Sequence, residues 1–193
     1  RIFEMQQPDF DTYFEDTTVA MYYYREGNRS WDTAYLSLRG FECRQPSGWA
    51  GSLTQLLDPI NNGDYRLLLL DEASGRPIYS RTYNTIFREY RDTPEGKDSV
   101  ARFEEVMLFP MPKRPVTVCL QQRDKQQQFF TKHTFRYDRA NNITTVEQIV
   151  ASLVGVKPNR ISISGDPHHK IDIAIVAEGY GPKDATKMRK DFA

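Results

Sequence analysis

The sequence predicts a mainly β protein: a β-sandwich domain followed by the first strand, turn and helix of a truncated α/β domain. Short stretches rich in Tyr, Phe, Val and Thr recur, and clusters of Gly, Pro, Asn and Asp separate them about every ten residues. Little helical periodicity precedes position 145. Near the end of the chain the apolar pattern changes from that of a strand to that of a helix, which is typical of an α/β unit.

The first predicted strand covers Phe10–Arg25, where residues that fit a half-buried pleated surface are dense. Alternation places its residues in two sets, with Val19, Met21 and Tyr23 on one face and Thr18, Ala20, Tyr22 and Tyr24 on the other. Both faces carry apolar area. We therefore expect this strand to be covered on both sides or to lie at a domain contact.

The segment that follows is mostly irregular. Ala34–Leu38 can form a short strand, but Gly, Pro, Ser, Asn and Asp occur at loop density from Gly40 to Asp64. Within that long connection we expect Leu53–Leu57 to form a short helix or an apolar plug.

A hairpin comes next, with strands at Tyr65–Leu70 and Pro77–Tyr83 and a loop between them that contains Gly75. An apolar piece at 85–90 and a polar turn at 92–97 lead to the remaining predicted strands, which are Arg102–Phe109, Val116–Leu120 and Phe129–Asp138. Three prolines in Pro110–Pro115 should break any ladder and redirect the chain between two sheets.

The last predicted strand of this series has the cleanest alternation in the chain. One set of its side chains consists of Phe129, Thr131, His133, Phe135 and Tyr137, and we expect this set to face the core. His133 is then a packed, hydrogen-bonded core histidine.

The C-terminal part changes character. A short helix at 145–154 and a short strand at 161–164 precede the apolar run Ile171–Ala177, which fits a buried strand. Glycines and a proline end that run, and from Lys183 a helical face is formed by Ala185, Met188 and Phe192. We expect a first domain at 1–164, and at 165–193 a linker and the start of a second domain.

Composition excludes several classes of function. The chain has 26 basic and 26 acidic residues among 193, so no net positive field favours nucleic acid or anionic lipid. No stretch approaches the roughly 18 apolar residues of a membrane span. The two cysteines, Cys43 and Cys119, can form one disulfide or remain two independent thiols.

The residues that hydrolytic chemistry needs are scarce. The chain has three histidines, and none has the spacing of a zinc hydrolase site. A weak metal candidate is formed by Asp166, His168 and His169, although a solvated linker explains them as well. Neither a nucleophile elbow nor a phosphate-binding loop is present in the sequence. The residues therefore predict neither a catalytic site nor a cofactor.

Aromatic side chains suggest a possible binding surface. Exposed Tyr and Trp rings form platforms for sugars and hot spots for proteins, and the candidates here are Tyr22, Tyr24, Trp31 and Trp49. Packing of these rings in the core is the alternative explanation.

Four segments carry motifs of a known family: FDTYFEDTTVAMYYYREG at 10–27, SGRPIYSRTYNTIFREY at 74–90, RFEEVMLFPMPKRPVTV at 102–118 and GDPHHKIDIAIVAEGYGPKDATKMRKDF at 165–192. The Pro-Met-Pro-Lys-x-Pro core of the third segment is the most distinctive. On these motifs the chain resembles the IgA-peptidase-type family of secreted zinc metallopeptidases found in gut Bacteroidetes.

The resemblance implies a secreted, cell-surface or periplasmic protein in which an N-terminal β-sandwich precedes a catalytic domain that carries His-Glu-x-x-His. This sequence contains no His-Glu-x-x-His, so no metal ligand or catalytic glutamate is carried over to any position here. We expect a non-catalytic domain that packs against its own C-terminal protease domain, where zinc is held, and helps to position a protein or glycoprotein substrate. The alternative is a free-standing carbohydrate- or protein-binding module.

Overall fold

The computed structural model describes residues 6–29, 35–44, 48–141, 165–166, 170, 173 and 179–192. The chain divides into two compact units, Arg1–Gln148 and Ile149–Ala193. The domain boundary that the sequence suggests after Ser164 stays a prediction.

The described elements follow one another in a strand-rich order. They are α1 Phe10–Tyr13, β1 Phe14–Gly27, β2 Tyr35–Arg44, β3 Tyr65–Asp71, β4 Pro77–Tyr83, α2 Ile86–Asp92, α3 Pro94–Asp98, β5 Ala101–Pro112, β6 Val116–Arg123, β7 Phe129–Tyr137 and α4 Ala185–Asp191. A short 3-10 turn at Pro182–Asp184 leads into α4.

The strands form two antiparallel sheets, ordered β2–β1–β5 and β4–β3–β6–β7. Their facing sides share one apolar core, which includes Met21, Phe41, Leu67, Leu69, Phe109, Val118 and Leu120. The predicted β-sandwich and the predicted β3–β4 hairpin are confirmed. In the hairpin loop, Gly75 has a φ of +68°, a conformation that glycine adopts without a steric penalty.

The first predicted strand begins four residues later than expected. Phe10–Tyr13 is a single helical turn because Asp9 caps it, its Oδ2 accepting a hydrogen bond of 2.8 Å from the Thr12 amide. From Phe14 onward the prediction is confirmed, and every residue from Thr18 to Tyr23 is buried. β1 is therefore the central strand of its sheet and is covered on both faces.

The second strand is longer than predicted. β2 continues to Arg44, so the expectation of irregular chain from Gly40 is wrong for its first five residues. Tyr22 pairs with Gly40 and Tyr23 with Leu38, so Arg39 is the extra residue of a bulge in β2. The apolar plug is confirmed at Leu56, which is fully buried in the core and accepts a hydrogen bond of 2.9 Å from the Ser80 amide through its carbonyl.

Two short helices occupy the segment that the sequence suggested as an apolar piece and a polar turn. The hydroxyl of Thr85 accepts a hydrogen bond from the Arg88 amide and begins α2, and Thr93 does the same for the Gly96 amide in α3. The rings of Phe87 in α2 and Phe103 in β5 lie 5.9 Å apart. Helix α2 therefore packs on the start of β5.

Prolines do not stop β5 where expected. Pro110 and Pro112 pair opposite Thr18 and Phe14, so the ladder reaches position 112 and the predicted break there is wrong. β5 is an edge strand. There a proline nitrogen, which has no N–H to donate, can face away from the neighbouring strand without breaking a ladder hydrogen bond. The following turn does carry the chain from one sheet to the other, as predicted.

A bulge divides the alternation of β7. His133 pairs with Leu120, but Thr131 pairs with Gln121, which leaves Lys132 as the extra residue. His133, Phe135 and Tyr137 therefore lie on the core face as predicted, whereas Thr131 and Phe129 turn to the outer face. The prediction that all five alternating side chains face the core is therefore wrong for Phe129 and Thr131.

The helix predicted from Lys183 is confirmed as α4, although it is short. The helix predicted at 145–154 and the strand predicted at 161–164 lie outside the described residues. So does the strand predicted at 171–177, apart from Ile173, which is 83% exposed.

Candidate functional site

Two of the four aromatic candidates are buried. Tyr22 is 2% exposed and donates a hydrogen bond of 2.7 Å to Glu42 Oε2. Trp49 is 7% exposed, and its ring meets that of Tyr79 edge-on at 5.8 Å. Burial argues against either residue as a stacking platform. Trp49 belongs to the core between the sheets, whereas Tyr22 lies on the outer face of its sheet.

Of the other two aromatic candidates, Tyr24 and Trp31, the structure describes only Tyr24. Tyr24 is half-buried beneath the guanidinium of Arg102, whose Cζ lies 3.8 Å from the ring centroid. Trp31 lies outside the described residues. A binding role for these two residues stays a prediction.

The weak metal candidate is only partly described, because His168 and His169 lie outside the described residues and Asp166 is exposed. Among the residues that the structure describes, no group of three His, Cys, Asp or Glu side chains could hold a metal ion. Cys43 and Cys119 are both free thiols, and burial raises the pKa of each. His133 is half-buried, with its ring 4.5 Å from that of Phe135.

The structure shows a buried polar cluster that the sequence did not predict. Between the two sheets, Arg25 Nε donates a hydrogen bond of 2.9 Å to Glu105 Oε1, and the two side chains are 3% and 12% exposed. The Tyr23 hydroxyl donates to Glu105 Oε2 and lies 3.0 Å from the hydroxyl of Tyr83. The guanidinium also lies 4.3 Å from the ring centroid of Tyr65. We call these five residues the arginine cluster.

The arginine cluster is held in one ionisation state. Burial acts against the charge of Arg25, but the oxygens of Tyr23 and Glu105 outweigh it, so the pKa of the guanidinium is raised. Burial, the neighbouring Tyr83 and the Glu105 carboxylate raise the pKa of Tyr23 well above its usual value. The ion pair links β1 to β5 within one sheet, and the contacts of Tyr23 with Tyr83 and of Arg25 with Tyr65 reach the other sheet.

Buried phenols predict that the fold loses stability at alkaline pH. Burial raises the pKa of Tyr79, Tyr83 and Tyr137 to about 12, from 10.0 when exposed. Below about pH 10 both states hold these protons; as pH rises from 10 to 12 the unfolded chain releases them first, so the free energy of unfolding falls. Urea unfolding at pH 8, 10 and 11 measures this.

A matched variant separates this effect from general alkaline damage. Tyr83→Phe removes one titrating phenol, so its free energy of unfolding should fall less steeply between pH 10 and 11 than that of the wild type. Equal stability of the wild type at pH 8 and 11 would contradict the prediction.

A cleft of about 380 Å³ lies where the start of β3, helix α2 and the β6–β7 turn meet. Its charged lining consists of Arg88, Arg91, Arg123, Lys125, Asp64 and Asp124. We call it the basic cleft, because four cations and two carboxylates line it, whereas the whole chain has a formal net charge of zero.

Arg123 fixes the shape of the basic cleft. Its Nε donates a hydrogen bond of 2.8 Å to the Gly63 carbonyl, and its other nitrogens donate to the carbonyls of Asn61 and Gln127. The guanidinium thereby ties the β6–β7 turn to the loop before β3. On the neighbouring outer face, the guanidinium groups of Arg123 and Arg66 lie 4.1 and 4.2 Å from the Phe129 ring centroid. Burial and then the positive charge of Arg123 lower the pKa of Arg66.

Arg91 differs from the other cations of the cleft. Arg88 forms an ion pair with Asp64, but Arg91 Nε is buried and has no hydrogen-bond partner in the part of the chain that the structure describes. A buried donor without an acceptor costs free energy. The Nε donor of Arg91 is therefore unsatisfied, while the guanidinium Cζ lies 5.9 Å from the ring centroid of Phe87.

The basic cleft was not predictable from the sequence, because its charges come from segments far apart in the chain. Arg123-Asp124-Lys125 resembles any charged hairpin tip, and Arg88 and Arg91 fall in a segment without a clear pattern. Their i, i+3 spacing would have been a signal only if the helix had been recognised.

A comparison with protein families finds a match that covers most of the sandwich. Residues 9–134, from the cap of α1 into β7, match the family model described as Peptidase M64 N-terminus. A search of curated proteins finds no match to this chain. Among the described residues no helix is long and apolar enough to cross a membrane.

Proposed function

The chain belongs to the Peptidase M64 N-terminus family, and on that premise we propose that its sandwich packs against the protease domain and helps to position a protein or glycoprotein substrate. The family membership confirms the resemblance inferred from the motifs and makes the chain a non-catalytic domain of a peptidase. Further parts of the proposal are secretion or cell-surface location in a bacterium, zinc in the protease domain, and residues 165–193 as the entry to that domain.

The outer face of the three-stranded sheet carries this proposal. Ala20 and Tyr22 lie on that face and are buried, and their direct cross-strand neighbours in β5, Leu108 and Val106, are 40% and 42% exposed. Val106 and Leu108 are therefore the accessible apolar residues beside this buried centre, and we call these two residues the outer strip. Around it lie Glu42 and the ion pair Arg39–Glu104. An apolar centre with a charged rim is the usual anatomy of a protein interface.

The protease domain is the occupant that the family membership supports. Two domains joined in one polypeptide are held at a high effective concentration, so a modest strip suffices to dock them. Interfaces between domains of one chain are also small and rather polar. The alternative of a free-standing module that uses its aromatic residues is less well supported, because Tyr22 and Trp49 are buried.

Substitution on the outer strip should uncouple the two domains. In the full-length peptidase, Val106→Lys with Leu108→Lys should speed limited proteolysis between the domains and reduce turnover of a protein substrate several-fold. The same change in the 193-residue chain should shift Tm by less than about 4 °C, because both residues are partly exposed.

Ile60→Lys is the matched control, since Ile60 is 74% exposed in a loop away from the strip. It should leave proteolysis and turnover unchanged. If the double variant and the control behave alike in the full-length peptidase, the outer strip is not the docking face.

A further inference from the structure

We propose that the basic cleft binds an acidic sugar, a monosaccharide unit that carries a carboxylate and hydroxyl groups. The site goes beyond the docking function: it uses other residues, on the other sheet and helix α2, and does not depend on where the protease domain binds.

The cations of the cleft provide the first step of the argument. The four cationic and two acidic side chains give the cleft a net charge of +2, in a chain whose formal net charge is zero. Arg88 is neutralised by Asp64 and Arg123 is tied to three carbonyls, which leaves Arg91 and Lys125 as the groups available to a ligand. A planar guanidinium matches the geometry of a carboxylate.

The carboxylate of Asp124 argues for hydroxyl groups on the same ligand. Its Oδ1 accepts hydrogen bonds of 2.9 and 2.8 Å from the amides of Gln126 and Gln128, which hold the carboxylate in place at the cleft wall. A simple anion would be repelled by it, whereas a sugar hydroxyl can donate to it. The side chains of Gln122 and Gln127 also line the cleft and can exchange hydrogen bonds with hydroxyl groups.

An aromatic ring and a strained turn complete the site. Phe130 lines the cleft and is 39% exposed, which gives the C–H face of a sugar ring a surface to pack on. Gln127 has a φ of +65°, in the left-handed region that non-glycine residues seldom adopt. Such strain persists where the surrounding structure imposes it, and it concentrates at functional sites. The volume of about 380 Å³ lies within the range of small-ligand pockets.

The test is a titration of the 193-residue chain at low salt, followed by calorimetry or by NMR shifts. Glucuronate should bind saturably, whereas glucose, which lacks only the carboxylate, and sodium sulfate, which lacks the hydroxyl groups, should bind at least tenfold more weakly. Arg91→Gln and Lys125→Gln should each weaken glucuronate binding about tenfold, the equivalent of about 1.4 kcal/mol. Arg81→Gln, which changes an exposed arginine that does not line the cleft, should have no effect.

Several results would overturn the assignment. Equal affinity for sulfate would make the cleft a simple anion site, and tighter binding of a glutamate-rich hexapeptide would make it a peptide site. Undiminished binding by Arg91→Gln and Lys125→Gln would place the sugar elsewhere. If Arg91→Gln fails to fold, Lys125→Gln decides, because Lys125 is exposed on a turn. The assay needs no protease domain, so its outcome is distinguishable from failure of the docking proposal.

Discussion

Replacing Glu105 with alanine is expected to lower the free energy of unfolding by about 3–5 kcal/mol, because it leaves the buried charge of Arg25 without its partner. The Tyr23 hydroxyl loses its acceptor at the same time. For a chain of this size the loss corresponds to a fall in Tm of roughly 10 °C. Urea unfolding and thermal melts measure it directly.

The adjacent residue provides the matched control. Glu104 undergoes the same chemical change in Glu104→Ala, but it lies on the outer face of β5, where it pairs with Arg39 at side-chain exposures of 38% and 30%. Such exposed pairs contribute up to about 1 kcal/mol. The two variants should therefore differ severalfold although the positions are neighbours.

A double variant tests the mechanism. Arg25→Met with Glu105→Met removes both charges, and it should cost less than Glu105→Ala alone, because a buried pair replaced by apolar residues leaves no unpaired charge. If Glu105→Ala proves as mild as Glu104→Ala, or if the double variant is the least stable of the three, the ion pair does not act as described.

These two glutamates show how far the sequence determines the fold. The alternation of β1 correctly separated Val19, Met21 and Tyr23 from the outward set, because periodicity reports which residues share a face. The same rule places Glu104 and Glu105 on opposite faces of β5. It could not show which of them enters the core, since the partner Arg25 is 80 positions away in the sequence. When no such partner is known, a carboxylate in a predicted strand is expected to face solvent.

Other differences have local physical causes. The β1–β5 ladder continues through Pro110 and Pro112 because β5 lies at a sheet edge. The sequence of a strand does not show whether the strand is central or at an edge, so this could not be predicted. The bulge at Lys132 reverses the alternation of β7, because one extra residue shifts every side chain beyond it to the other face. The basic cleft depends on both the bulged strand and the unpredicted helix α2. Its charges were therefore visible in the sequence, but their proximity was not.

Trp49→Ala is the second change with a large expected effect, a loss of about 3–5 kcal/mol, because a buried tryptophan leaves a cavity that the surroundings cannot fill. The local structure is built around this ring. The Trp49 amide donates a hydrogen bond of 2.7 Å to Asp16 Oδ1, and the indole N–H donates to the Ser52 carbonyl at 3.3 Å. A Cβ at Gly51 would lie 2.2 Å from the ring, so only glycine fits beneath it.

The same variant distinguishes the two explanations of the aromatic residues. Substitution of an exposed stacking residue would abolish ligand binding and leave Tm unchanged. Tyr35→Ala is the control for the unchanged Tm, since Tyr35 is 63% exposed on β2. A core residue behaves in the opposite way. Trp49→Phe should recover part of the lost stability by refilling the cavity, although the hydrogen bond to Ser52 stays broken. A Tm of Trp49→Ala equal to that of Tyr35→Ala would show that the loop does not anchor the sandwich, and the binding-surface hypothesis would then regain its strongest residue.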